Sequence, residues 1–143
     1  MSKLRVLHVE DEKNARLMVA DLLGDGVDMT SVETAEEALE ACTKAPFDLT
    51  LLDWMLPGMD GGEFLAKVRD TGRAGRVVVL TAIGTMERAR EAMRAGAFDF
   101  MVKPADPDDL LALVEKAERS VKLIDTAGRS QPKVDRGPAD AIL

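Results

Sequence analysis

Residues Asp48–Asp53 read DLTLLD, a short apolar run closed by a carboxylate. A run of this length without helical spacing predicts a buried strand over Asp48–Leu52, and strands buried on both faces belong to parallel sheets. Working outward, the same reading places strands at Leu4–Val9, Val77–Leu80 and Ala97–Val102, with a weaker one at Val27–Val32. Helical patterns fill the gaps. Ala15, Met18, Val19, Leu22 and Leu23 repeat at three-four spacing and Gly24 stops them. Thr34 and Glu37 form a capping-box pattern at the start of a second helix. A third is expected from near Gly62, with Phe64, Leu65 and Val68 inward; Met86, Ala89 and Met93 mark a fourth, ended by Gly96. The last opens with Asp106 as N-cap, Pro107 at the first helical position, and Asp108 and Asp109 at the positive end of the helix dipole. Leu110, Val114, Ala117 and Val121 give its buried face. This alternation predicts an α/β fold, a mostly parallel sheet with helices on both faces.

With 143 residues and 46% hydrophobic composition, the chain suits one domain with a proper core. Aromatics are only 3%, so Val, Leu, Ala, Met and Ile must fill that core, and Met18, Met29, Met86, Met93 and Met101 are expected there. A net charge of −7 repels both the phosphates of nucleic acids and anionic membranes, which argues against direct binding to either. Cys42, among Ala38, Leu39 and Ala41, reads as a small buried apolar residue. Met1–Arg5 runs into a strand without the apolar core of a signal peptide, and no stretch approaches membrane-spanning length; the expected location is the cytoplasm. After Leu123 the periodicity fades, giving a domain over 1–123 and a tail or cut-short linker over 124–143. His8, inside the first strand, is expected to be packed and neutral. Glu87, Arg88, Arg90, Glu91 and Arg94 read as a solvated, charged helix face. Gly58, Gly61 and Gly62 lack the following Lys-Ser/Thr of a phosphate cradle and read as a mobile loop.

Ligands of open parallel sheets sit beyond the carboxyl ends of the strands. Those ends carry Glu10 and Asp11 after the first strand, Asp53 after the third, Thr81 after the fourth and Lys103 after the fifth. Three converging carboxylates repel one another unless a cation neutralises them or one stays protonated. Hard oxygen ligands with open positions suit Mg²⁺, which shares itself with phosphate oxygens. Lys103 adds a cation and Thr81 a hydroxyl donor. Such parts fit phosphoryl transfer with Asp53 as nucleophile.

The segments VLHVEDE (Val6–Glu12), LTLLDWMLPGMDG (Leu49–Gly61), VVVLTA (Val77–Ala82) and AGAFDFMVKP (Ala95–Pro104) resemble the receiver domains of two-component response regulators. The likeness covers about residues 3 to 121, and LDWMLPG resembles receivers attached to winged-helix transcription factors. It implies a flavodoxin-like doubly wound sheet of five parallel strands in the order 2-1-3-4-5. It implies that Asp53 is the phosphoacceptor, that Asp11 binds Mg²⁺ directly and Glu10 through water, and that the Met55 backbone carbonyl is a further ligand. Thr81 and Lys103 would contact the phosphoryl group, Lys103–Pro104 would be a cis peptide, and Phe100 would be the switch aromatic. The implied partners are a sensor histidine kinase or phosphotransfer protein, an output domain or downstream effector, and a second copy across the face of the fourth helix, fifth strand and fifth helix. Met55 and Ile83 are apolar where some members carry polar side chains, which would slow loss of the phosphoryl group. Two alternatives stand beside this reading. Phosphohydrolases of the haloacid dehalogenase type also use an Asp after a strand, but need a second Asp where this chain has Met55. A receiver-like module that signals without phosphorylation would have no use for the full set of site residues.

Overall fold

The computed structural model of the chain describes residues 3–82 and 86–127, with 122–127 as helix backbone only. Its elements are β1 (Leu4–Val9), α1 (Lys13–Leu23), a 3-10 turn (Gly24–Gly26), β2 (Val27–Val32), α2 (Ala35–Lys44), β3 (Leu49–Asp53), α3 (Gly61–Val68), β4 (Arg76–Thr81), α4 (Met86–Arg94), β5 (Asp99–Val102) and α5 (Pro107–Ala127). The strands form one sheet in the order β2-β1-β3-β4-β5, every pair parallel. The strands expected from apolar runs are all present, and α5 continues to Ala127, past the point where its apolar spacing fades.

Because side chains alternate along a strand, β3 serves both faces. Leu49 and Leu51 join Leu4, Val6, Val78, Leu80, Leu110, Val114 and Ala117 in a core beneath α1 and α5. Leu52 joins Leu7, Val9, Val79, Phe64, Leu65 and Val68 in the larger core beneath α2, α3 and α4. Thr50, fully buried, donates its hydroxyl to the Ala74 carbonyl at 2.7 Å, so no polar group on this strand's interior is wasted. Cys42 is buried as expected.

The capping box at Thr34 and Glu37 is present. A second one, unread in the sequence, is formed by Asp60 and Glu63 and starts α3 at Gly61. Gly61 and Gly62 therefore belong to the first turn of a helix and not to a mobile loop. A Cβ on Gly61 would stand 2.9 Å from both the Asp53 carbonyl oxygen and Trp54 Cα, so only glycine lets α3 begin this close to the end of β3.

Of the methionines expected in the core, Met29 and Met101 pack against it beneath α1 and α5, and the other three depart from expectation. Met18, Met86 and Met93 are 66%, 72% and 47% exposed. On α1 the core is reached by Val19, Leu22 and Leu23, and Met18 falls on the edge of that stripe. On α4 the fully buried residue is Ala92, with Ala95 beyond the helix packed against the same core, and the flanking methionines lie outside.

Candidate functional site

The carboxyl ends of β1, β3, β4 and β5 bring the expected residues together. Glu10, Asp53 and Thr81 are buried, while Asp11 is exposed. Glu10, Asp11 and Asp53 each offer a carboxylate oxygen, and these oxygens lie within 4.8 Å of one another, close enough to share one cation. Lys103 enters from the loop after β5. Its ammonium donates to Glu10 Oε1 and stands 3.6 Å from Asp53 Oδ2. The Lys103–Pro104 peptide is cis.

Backbone bonds fix these positions. Lys103 N–H donates to the Thr81 carbonyl at 2.7 Å, and Trp54 N–H donates to the Leu80 carbonyl at 3.1 Å, tying the three strand ends together. Met55 N–H donates to Asp53 Oδ1 at 3.1 Å. Glu10 Oε2 accepts from Glu12 N–H at 3.2 Å, and Glu12 in turn caps α1 through the Ala15 N–H.

Burial pushes the Asp53 carboxyl up to about 6; the Met55 N–H opposes this, the Glu10 and Asp11 charges add to it, and the Lys103 charge opposes it. For Lys103, burial is the largest single influence and acts downward. The hydrogen bond to Glu10 and the charges of Asp53 and Glu10 outweigh it and hold the ammonium above its ordinary value. The site thus combines a buried carboxyl that is costly to ionise with a lysine held firmly charged. His8, beneath it, is 1% exposed with Nδ1 unpartnered, and burial, then Lys103 and Arg16, lowers it to about 4, keeping it neutral as expected.

Phe100 is half-buried on β5 and packs on the larger core. Ile83 lies outside the described residues. Met55 is 48% exposed, and its sulfur accepts from Arg88 Nη1 at 3.1 Å. Beside the site a groove of about 530 Å³ opens between α1 and α5, lined by Met18, Val19, Leu22, Leu110 and Pro104 among others.

Two neighbours of the site, Arg16 and Trp54, escaped the sequence reading. Arg16 bonds the Glu10 carbonyl at 2.8 Å. Trp54, next to Asp53, donates its indole N–H to Glu91 of α4 at 3.3 Å. The contacts of the charged α4 face thus reach across to the residues following β3. A charge interrupting the α1 stripe between Ala15 and Val19 was the available sign of Arg16; nothing local announced the Trp54–Glu91 pair.

The response regulator receiver domain model matches residues 6–115. The chain is 40% identical over 113 residues to the response regulator protein FleR of Pseudomonas aeruginosa, covering 78% of this chain and 24% of that protein. It is 36% identical to the response regulator protein PilR of the same organism, over 100% of this chain and 30% of that one. The chain therefore spans less than a third of the length of these relatives. The chemotaxis protein CheY4 of Vibrio cholerae superposes with a TM-score of 0.76 at 31% identity, covering 81% of this chain and 99% of its own. With its five parallel strands in the order shared by that fold, the chain belongs to the receiver-domain family of two-component response regulators.

Proposed function

We propose that this receiver is a Mg²⁺-dependent phosphoacceptor that takes a phosphoryl group from a sensor histidine kinase or phosphotransfer protein onto Asp53. The observation that carries the reading is the convergence of Glu10, Asp11 and Asp53 within 4.8 Å, with Lys103 at 3.6 Å from the Asp53 carboxylate. Glu10, Asp11, Asp53 and the Met55 backbone carbonyl would hold the cation, which when bound offsets the carboxylate charges and those of the phosphoryl oxygens. An Asp53 carboxylate oxygen forms the new bond to phosphorus as the bond from phosphorus to the donor histidine nitrogen breaks, and the leaving nitrogen takes up a proton. The Lys103 ammonium is placed to donate to a phosphoryl oxygen, and the Thr81 hydroxyl is the donor at the end of β4. The domain thereby catalyses only its own phosphorylation and dephosphorylation. The apolar groove between α1 and α5 offers the donor's helix a surface beside Lys103.

Movement of Thr81 toward the phosphoryl group would open space for Phe100 and remodel the face of α4, β5 and α5. That face exposes Met86, Met93, Val102 and Leu111, an apolar surface suited to a second copy, an output domain or a downstream effector. Residues 1–123 make the receiver in this reading, and 124–143 a tail or cut-short linker whose first residues prolong α5. Among the described residues no helix is long and apolar enough to cross a membrane; cytoplasmic signalling without direct nucleic-acid contact is the setting we assign. Met55 and Ile83 make loss of the phosphoryl group slow, and a phospho-Asp53 half-life of seconds would contradict that part.

Incubation with Mg²⁺ and acetyl phosphate, read by intact mass, tests the reading. A single phosphoryl addition is expected, absent in Asp53→Asn. No addition, together with failure to bind beryllofluoride, would favour a module that signals without phosphorylation.

A further inference from the structure

Three acidic residues in succession, Glu10, Asp11 and Glu12, form the turn between β1 and α1. Mutual repulsion would spread such a turn, yet two of its carboxylates must converge on Asp53. Arg16, in the first turn of α1, supplies a restraint. Its Nη1 donates to the Glu10 carbonyl at 2.8 Å, and its Nη2 lies 3.7 Å from Glu33 Oε2. The side chain is only 16% exposed. Glu10 is the first residue past β1 and Glu33 the first past β2, and Glu10 N–H donates to the Val32 carbonyl at 3.0 Å. One planar guanidinium therefore ties the ends of two strands to the start of a helix, with the acidic turn enclosed between them.

We propose that Arg16 is a positioning residue of the acidic site, which through the Glu10 carbonyl holds the Glu10–Asp11 turn in the arrangement that receives a divalent cation. The proposal rests on the metal-dependent reading of the site. A positive charge so near a cation site works against binding, but Glu33 offsets it, and the guanidinium spends its hydrogen bond on a backbone carbonyl and not on a ligand oxygen. Positioning and charge are separable, because lysine keeps the charge while losing the fork that makes both contacts at once.

The experiment is a Mg²⁺ titration of the full chain, read by the fluorescence of Trp54, the single tryptophan, and by the Mg²⁺-induced rise in melting temperature. Arg16→Ala and Arg16→Lys should both weaken Mg²⁺ binding roughly tenfold, as loss of a group supporting metal ligands commonly does. Glu33→Gln should weaken it less, and should add nothing in the Arg16→Ala background. Labelling by acetyl phosphate should need more Mg²⁺ for half-maximal rate while reaching the wild-type maximum, a split that general destabilisation does not produce. Wild-type affinity in Arg16→Lys, or tighter binding in Arg16→Ala, would overturn the proposal while leaving the metal site standing. Absence of Mg²⁺ binding by the wild type would overturn the metal reading and this proposal with it. If Arg16→Ala does not fold, Arg16→Lys and Glu33→Gln decide the matter.

Discussion

Leu51 and Asp53 stand two residues apart on β3, 0% and 6% exposed, in opposite energetic positions. Leu51 gains from losing water, as do its neighbours on both faces of the sheet. Asp53 loses by it, since burial disfavours its ionised form, and Glu10 and Asp11 add repulsion that Lys103 only partly offsets. The interior of the sheet is where the fold is stabilised, and its carboxyl edge is where buried charge costs stability. Substitutions in the two regions should therefore move stability in opposite directions.

The largest effect belongs to the interior. Phe64→Ala, at a fully buried position on α3, should destabilise the domain by about 3–5 kcal/mol in denaturant unfolding. The edge should respond with the other sign. Asp53 has a folded-state value of about 6 against an ordinary 3.8, so above pH 6 the fold carries the whole penalty of the ionised group. Asp53→Asn should then stabilise the metal-free protein at pH 7 by roughly 3 kcal/mol, the equivalent of that shift. As pH falls from 6 toward 3.8 the wild type takes up its proton and recovers, so the gain should fade and be absent once both states are protonated. Equal stability of the two proteins at pH 7 would remove the contrast between Leu51 and Asp53.

A smaller effect tests the seam between the regions. Gly61→Ala places a methyl group 2.9 Å from the Asp53 carbonyl oxygen and Trp54 Cα, which should cost about 1–3 kcal/mol as α3 shifts away. The same shift should slow acetyl phosphate labelling of Asp53. Unchanged stability and labelling would mean that α3 does not need to start so close to the strand end.

The two regions also differ in how far they can be read from sequence. Short apolar runs locate β1, β3, β4 and β5, because burial in a parallel sheet leaves a pattern within each segment, while β2, an edge strand with no buried residue, keeps its expected bounds on a weaker pattern. The site residues are legible for a related reason: Asp53 and Thr81 end their strands, Glu10, Asp11 and Lys103 follow theirs, and the topology sends those ends to one edge. What stays hidden is decided between elements. Arg16 reaching Glu10, and Glu91 reaching Trp54, depend on how helices sit on the sheet. That Ala92 and not Met86 or Met93 faces the core depends on how α4 is rotated against the sheet, which no spacing rule on α4 alone discloses.

The most direct test of the account is the shift in melting temperature on adding Mg²⁺ near neutral pH, compared between the wild type and Asp53→Asn. If the converging carboxylates are the strained group that a cation relieves, Mg²⁺ should raise the wild-type midpoint by several degrees and that of Asp53→Asn by much less. Equal shifts in the two proteins, or none in either, would contradict it.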